Sequence, residues 1–308
     1  MPFTPDTIAA EQVQERLKSL FDLVQEIQKR RTQCETGINS IYKHQTSPDE
    51  EKSSQYQTKL KTLYKTAVNH AEQEEEMLRE ALNKITEIRN IKNERRIQAR
   101  QAGNKESIRP GICMKMLKNN AQTMPLFVGK IGEKPPPLCG AIAADPAYHA
   151  KVGDMVVSWV EVADDGVNWI LSEVVSFNAS TTKYEVDDII EERNQIKRHV
   201  VAKKFVVPLP LMRANPETDP EALFPQGTLV MALYPQTTCF YKAIINKCPA
   251  THVDEYEVLF EDTKYEEGYS PPYLVAQRYV ISGQVKQQQA GISETHRNRK
   301  TISTIPHN

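Results

Sequence analysis

The sequence predicts an α-plus-all-β chain: an antiparallel coiled-coil hairpin, then two small antiparallel β-barrels packed on one another. Three observations carry this. A heptad repeat runs from Val13 to Ile41. The texture changes after residue 103, where Gly and Pro begin to cut the chain into short β-rich runs. Within the β-rich part, similar segments recur at a spacing of 72 to 74 residues.

The hairpin is expected over residues 8–102. Val13, Leu17, Leu20, Val24, Ile27, Arg31, Cys34, Ile38 and Ile41 alternate steps of four and three, the signature of helices that wrap a partner. Only Arg31 interrupts that seam with charge. Residues 44–55 hold Pro48 among polar residues, so the first helix must end there. A looser stripe follows at Leu60, Leu63, Ala67, Ala71, Leu78, Ala81, Ile85 and Ile88, with Glu74 on the same face. Gly103 is the expected C-cap. Two helices alone cannot cover so long a seam, which points to a helix of assembly. A self-contained spacer is the plainer alternative.

Residues 103–147 read as a linker, with a short helix near Ile112–Ala121 and then an extended stretch around Pro135-Pro136-Pro137. The first barrel is expected over 148–212 and the second over 213–282. Gly153-Asp154-Met155-Val156-Val157 resembles Gly227-Thr228-Leu229-Val230-Met231, and Lys183-Tyr184-Glu185-Val186 resembles Glu255-Tyr256-Glu257-Val258. Trp169 to Val175 resembles the run from Tyr241 to Ile245. Short alternating strands at this spacing imply two small barrels. They are joined by a short, helix-like connector over 215–224, and face-to-face packing is expected. The basic stretch 283–308 is low in apolar residues and reads as a disordered tail.

Bulk properties narrow the function. The 308 residues carry 39 basic and 40 acidic side chains, so the chain as a whole is not drawn to nucleic acid. Weak contact through the C-terminal tail is the exception. The five cysteines show no CxxC pairing, which argues for a reducing compartment and against a structural zinc. No apolar run is long enough for a bilayer, and the polar N-terminus does not read as a signal peptide. An intracellular protein without membrane contact is expected. The clusters Lys92 to Arg96 and His296 to Lys300 could be nuclear signals or solvated helix ends and tails. No phosphate loop, HExxH or GxSxG appears, and Cys239, the one nucleophile worth naming, has no His close in sequence. No catalytic residue, metal or cofactor is expected.

One stretch stands out for chemistry. Tyr234 follows the run Leu229–Leu233, Tyr241 begins the run to Ile245, and Phe260 ends the run from Tyr256, followed at once by Glu261 and Asp262. If the runs are neighbouring strands, three rings meet beside a carboxylate. That suits a cation unable to donate hydrogen bonds, each ring contributing roughly 0.5 to 2 kcal/mol. The alternative is that these rings simply fill the core. In the first repeat the matching positions are read as Val160, Trp169 and Asp188, so the box is broken there. Asp188 instead joins Asp187, Glu191 and Glu192 in an acidic cluster. Such a cluster suits a primary ammonium, which donates three hydrogen bonds, or is merely a solvated turn. A peptide with a free α-amine and a methylated lysine a few residues later would fill both sites, since extended chain covers about 3.3 Å per residue.

The chain also resembles a known family, the SAGA-associated factor 29 subunits of SAGA-type histone acetyltransferase complexes, which carry tandem Tudor barrels. The resemblance rests on KPPPLCGAI (134–142), KYEVDDI (183–189), ANPETDPEALF (214–224), LVMALYPQTTCFYKA (229–243), VLFEDTKYEEGYSPP (258–272) and VAQRYV (275–280), with KLKTLYKTA (59–67) in the hairpin. It implies a nuclear reader of the histone H3 tail di- or trimethylated at lysine 4. Tyr234, Tyr241 and Phe260 would form the cage with Asp262 supplying charge, and Gln236 and Thr238 would line the groove. Asp188, with Asp187 and Glu191, would hold the α-amine. The chain departs from the pattern at Ile190, where the family often has a second acidic residue; Glu191 is the candidate replacement. The resemblance further implies that the hairpin docks onto adaptor subunits of the acetyltransferase module. A methyl-arginine reader and a purely structural coiled-coil subunit remain as alternatives.

Overall fold

The computed structural model describes residues 5–46, 53–102, 110–130, 132–162, 166–190 and 197–283. They form two compact units, 1–106 and 107–308. The Gly103 cap and the residues after Gly283 lie outside the described residues. No helix among the described residues is long and apolar enough to cross a membrane.

The first unit is the expected hairpin, α1 (Pro5–Gln45) against α2 (Ser54–Gln101). The Ser53 hydroxyl caps α2 by accepting the Tyr56 N–H at 3.1 Å. Antiparallel pairing is fixed by Arg16 Nε donating to Glu87 Oε2 at 3.1 Å and Arg30 Nη1 to Gln73 Oε1 at 2.9 Å. His44 stacks on Tyr56 near the turn, with ring centroids 4.4 Å apart. The predicted seam is only half right. Val13, Leu20, Ile27, Cys34 and Ile41 turn inward, but Leu17, Val24, Arg31 and Ile38 are exposed. Leu23, Arg30 and Gly37 take the inner places instead. A Cβ on Gly37 would lie 3.8 Å from the Ala67 methyl, so the helices come close there. Burial first, then the neighbouring Glu74, the charge on the second stripe, raises the pKa of the Cys34 thiol.

The exposed apolar residues follow a rule. Leu17, Phe21, Val24, Ile38 and Tyr42 each stand one position after an inward residue of α1. Tyr64, Val68, Leu78, Leu82 and Ile85 do the same on α2. Seen from one end, antiparallel right-handed helices wind in opposite senses, so equal displacements point to the same flank. The hairpin therefore carries one apolar flank built from both helices.

The second unit holds ten strands: β1 (Met155–Val162), β2 (Gly166–Asn178), β3 (Lys183–Asp188), β4 (Arg198–Ala202), β5 (Val206–Pro208), β6 (Leu229–Leu233), β7 (Cys239–Lys247), β8 (Tyr256–Phe260), β9 (Tyr273–Val275) and β10 (Val280–Ser282). All named strand pairs are antiparallel, in the orders β5-β1-β2-β3-β4 and β10-β6-β7-β8-β9. The barrels do not simply meet face to face. β2 pairs directly with β7 through Trp169↔Phe240 and Ile170↔Cys239, making one ten-stranded sheet.

The repeat extends to individual hydrogen bonds. Tyr184 and Tyr256 are buried, and their hydroxyls accept the N–H of Ala150 at 3.1 Å and of Phe224 at 3.0 Å, tacking down the chain that leads into each barrel. Gly153 and Gly227 sit at φ 86° and 81°, and their N–H groups donate to Val174 and Ile245, each at 2.8 Å. The helix-like connector is reduced to a single 3-10 turn at Pro220–Ala222.

The stretch read as a linker belongs to the second unit. α3 (Pro110–Gln122) buries Cys113, Leu117 and Ala121 in its core, and the Tyr279 hydroxyl donates to the Leu117 carbonyl at 2.8 Å. The Pro-rich segment is stitched to the connector: Phe127 N–H donates to Arg213 O, Gly140 N–H to Met212 O and Ala141 N–H to Ala222 O. Gly140 sits at φ 53°, and a Cβ there would meet the Ala222 carbonyl oxygen at 2.3 Å. Backbone must pass where a side chain would stand, which explains a glycine in KPPPLCGAI.

Two outcomes are expected. Tyr184→Phe orphans the buried Ala150 N–H and should cost about 1–3 kcal/mol in urea unfolding, with the same sign for Tyr256→Phe at the partly buried Phe224 N–H. Burial also pushes the Tyr148 and Tyr279 hydroxyls up to about 12, while the unfolded chain ionises near the ordinary value of about 10. The folded state then holds more protons above pH 10. Stability present below about pH 10 should fall as pH rises toward 12, read as a declining urea midpoint.

Candidate functional site

The site begins at a turn. Tyr234 leaves β6 with its N–H donating to the Cys239 carbonyl at 2.9 Å, and its own carbonyl accepts Thr237 N–H at 3.2 Å and Thr237 Oγ1 at 2.9 Å. Pro235 and Gln236 fill the two corners between them. Gln236 sits at φ 62°, as the second corner of such a turn demands, although glycine usually stands there. Tyr241 lies opposite Ala232 across β6 and β7, and Phe260 opposite Ala243 across β7 and β8. Phe260 is clamped from behind: its N–H donates to Ser270 Oγ at 3.0 Å and its carbonyl accepts Ser270 N–H at 2.9 Å.

The rings converge. Tyr234 lies 5.7 Å from Tyr241 at 80° and 5.0 Å from Phe260 at 60°. A fourth ring, Tyr273, lies 5.7 Å from Tyr234 and 5.9 Å from Phe260. Their openness differs. Tyr241 is 44 % exposed and Tyr234 half-buried, but Phe260 is only 2 % exposed. Phe260 is thus a floor rather than an open wall, because as the last residue of β8 it still faces the barrel core.

Charge gathers at the rim. Asp262 is half-exposed, with Oδ1 accepting Lys264 N–H at 2.9 Å, and Glu261, Glu266 and Glu267 are exposed on the loop it opens. The Tyr234 hydroxyl is held above its ordinary pKa, first by a hydrogen bond and electrostatic interaction with Tyr273, then by burial, then by Tyr265 and Asp262. Aromatic faces beside uncompensated carboxylate can attract a bulky cation that brings no N–H to share.

The SGF29 tudor-like domain family matches residues 152–284. The chain is 52 % identical to the "SAGA-associated factor 29kDa" of Drosophila melanogaster over 94 % of its own length and 97 % of the relative's. The chain belongs to the SAGA-associated factor 29 family. It is also similar to the Arabidopsis thaliana proteins "SAGA-associated factor 29 homolog B" and "homolog A", at 31 % and 30 % identity over 44 % of this chain and 50 % and 51 % of theirs.

Strand register in this SAGA-associated factor 29 member corrects the comparison between repeats. Ser158 pairs Ile170 where Ala232 pairs Tyr241, and Trp159 pairs Trp169 where Leu233 pairs Phe240. The counterpart of Tyr241 is therefore Ile170, not Trp169, which matches Phe240 and is buried. Adjacent strand residues face opposite ways, so a slip of one matters. Asp188, opposite Ser172, does match Phe260, opposite Ala243.

The acidic cluster divides. Asp187 is 1 % exposed and grips Arg198, with Nε to Oδ1 at 2.7 Å and Nη2 to Oδ2 at 3.1 Å. It is a structural partner across β3 and β4, not a free amine ligand. Asp188 is half-exposed, accepts Ile190 N–H at 3.2 Å through Oδ1 and lies within electrostatic reach of Cys113 on α3. Glu191 and Glu192 lie outside the described residues. Gln236 is exposed. The Thr238 side chain is buried, and its carbonyl accepts Leu171 N–H at 2.8 Å across the junction between barrels. Sequence reasoning missed Tyr273, although an aromatic residue directly after Pro271-Pro272 was a visible signal. No group of three or more His, Cys, Asp or Glu among the described residues is placed to hold a metal ion.

Because Asp187 serves Arg198, Asp187→Asn should lower stability by about 1–3 kcal/mol in urea unfolding, as weakening a buried charged hydrogen-bond pair does.

Proposed function

We propose that this chain is a chromatin reader that binds the histone H3 tail di- or trimethylated at lysine 4, and is not itself an enzyme. The observation that carries the reading is the convergence of Tyr234, Tyr241 and Phe260 beside Asp262, with Tyr241 open to solvent. The methylated ammonium lies against Tyr234 and Tyr241, with Phe260 closing the floor and Asp262 supplying charge. Gln236 borders the peptide groove on the exposed turn, and Thr238 shapes it through the backbone. Asp188, in the other barrel of the same sheet, takes the tail's α-amine, assisted by Glu191.

The relatives are named for SAGA, and the hairpin is read here as the part that docks onto adaptor subunits of a nuclear histone acetyltransferase complex. Its flank of Leu17, Phe21, Val24, Leu78 and Leu82 supports that role, because apolar side chains at this density seek a cover. Reading one mark then holds the acetyltransferase at nucleosomes already carrying it, and many weak contacts sum to firm retention.

Calorimetric titration of the full chain with H3-tail peptides tests the reading. Tyr241→Ala should weaken the trimethylated peptide by about tenfold or more, the loss of one ring contact, and leave the unmodified peptide unchanged. Acetylating the α-amine should weaken wild type, and Asp188→Asn should remove that sensitivity. Unchanged trimethyl binding in Tyr241→Ala, or tighter binding of a methyl-arginine peptide, refutes the assignment.

A further inference from the structure

Tyr273 differs from the core tyrosine of the second barrel in what replaces it in the first. The core tyrosine Tyr256 keeps its ring as Tyr184, with the same hydrogen bond to the leading chain. Tyr273 stands opposite Val258 on β8, and its counterpart opposite Val186 on β3 is His199. The cage positions Tyr234, Tyr241 and Phe260 likewise become Val160, Ile170 and Asp188. Tyr273 thus changes together with the cage and not with the core.

Its placement agrees. The centroids of Tyr234, Phe260 and Tyr273 form a triangle with sides of 5.0, 5.7 and 5.9 Å. Tyr241 approaches Tyr234 at 5.7 Å, edge to face. Tyr273 is half-buried rather than enclosed. Pro271 and Pro272 stiffen the chain leading to it, and Ser270, just before them, is locked to the Phe260 backbone. Tyr273 is also the first influence holding the Tyr234 hydroxyl above its ordinary pKa, consistent with the closeness of the two rings. Tyr234 is the ring that touches all the others, yet it lies on a turn just beyond β6. A ring on a turn has more freedom to lose on binding than one fixed in a strand, and fixing it beforehand raises affinity.

We propose that Tyr273 is a positioning residue of the methyl-lysine site, closing the cage as a fourth ring packed against Tyr234 and Phe260. The inference rests on the reader assignment above and adds a residue to the same site. Tyr273 acts on ligands that fill the cage, so its effect depends on methylation.

The test uses the full chain, H3-tail peptides trimethylated or unmodified at lysine 4, and the variants Y273F, Y273A and Y241A. Y273F keeps the ring and removes the hydroxyl. It should leave both peptides within about twofold of wild type. Y273A should weaken the trimethylated peptide by about tenfold, approaching Y241A, without changing the unmodified peptide. Thermal melts check that Y273A remains folded. Wild-type trimethyl binding in Y273A, with Y241A impaired, overturns the proposal while sparing the reader assignment. Equal weakening of both peptides by Y273A reduces Tyr273 to a structural residue and also overturns it. Unimpaired Y241A would defeat the reader assignment itself.

Discussion

The pairing of β2 with β7 is the constraint on which the second unit depends. Trp169 faces Phe240 across it, and these two residues are counterparts in the repeat, so the pair relates the barrels by a local two-fold. The junction extends through the Leu171 N–H to the Thr238 carbonyl. Tyr234, hydrogen-bonded to Cys239, and Tyr241, two residues further along, inherit their positions from it. Backbone hydrogen bonds thereby bring the strands beside Tyr234 and Tyr241 and the Asp188 strand into one sheet, with no need for loops to hold two domains in place.

Duplication followed by divergence explains which residues match. What builds the scaffold is kept in both copies: a glycine at positive φ, a buried tyrosine tacking down the leading chain, a short closing strand after a 3-10 turn. What lines the rim is not kept. One rim is aromatic; at the matching positions the other copy buries Val160 and Ile170 and leaves Asp188 and His199 partly exposed. A single fold thus offers a surface suited to a methylated ammonium and another suited to one that donates hydrogen bonds.

Much of this was legible in the sequence, and the misses have physical causes. Alternation and turn residues located both barrels, because a half-buried strand imposes a period of two on its side chains. The convergence of Tyr234, Tyr241 and Phe260 was visible as rings at three strand ends. Trp169 was matched to Tyr241 one residue out of step, because the segments between repeated strands differ in length, by three residues before this strand and by one after it, and only hydrogen bonding fixes the register. Asp187 looked available because its partner Arg198 lies eleven residues on, at the start of the next strand. Tyr273 was passed over because its strand spans only three residues after two prolines. In the hairpin, a stripe of alternating threes and fours does not say which of two adjacent faces meets the neighbouring helix; Leu17, Val24 and Ile38 proved to belong to the outer one.

That outer flank has a consequence for assembly. Its apolar residues come from both helices, so neither helix alone presents the whole surface. A subunit that covers it recognises the closed hairpin as such, and its binding energy adds to the energy that keeps α1 and α2 together. Polar links between the helices, such as Arg16 with Glu87 and Arg30 with Gln73, then matter to any subunit that covers the flank, because they set the alignment on which the composite surface depends.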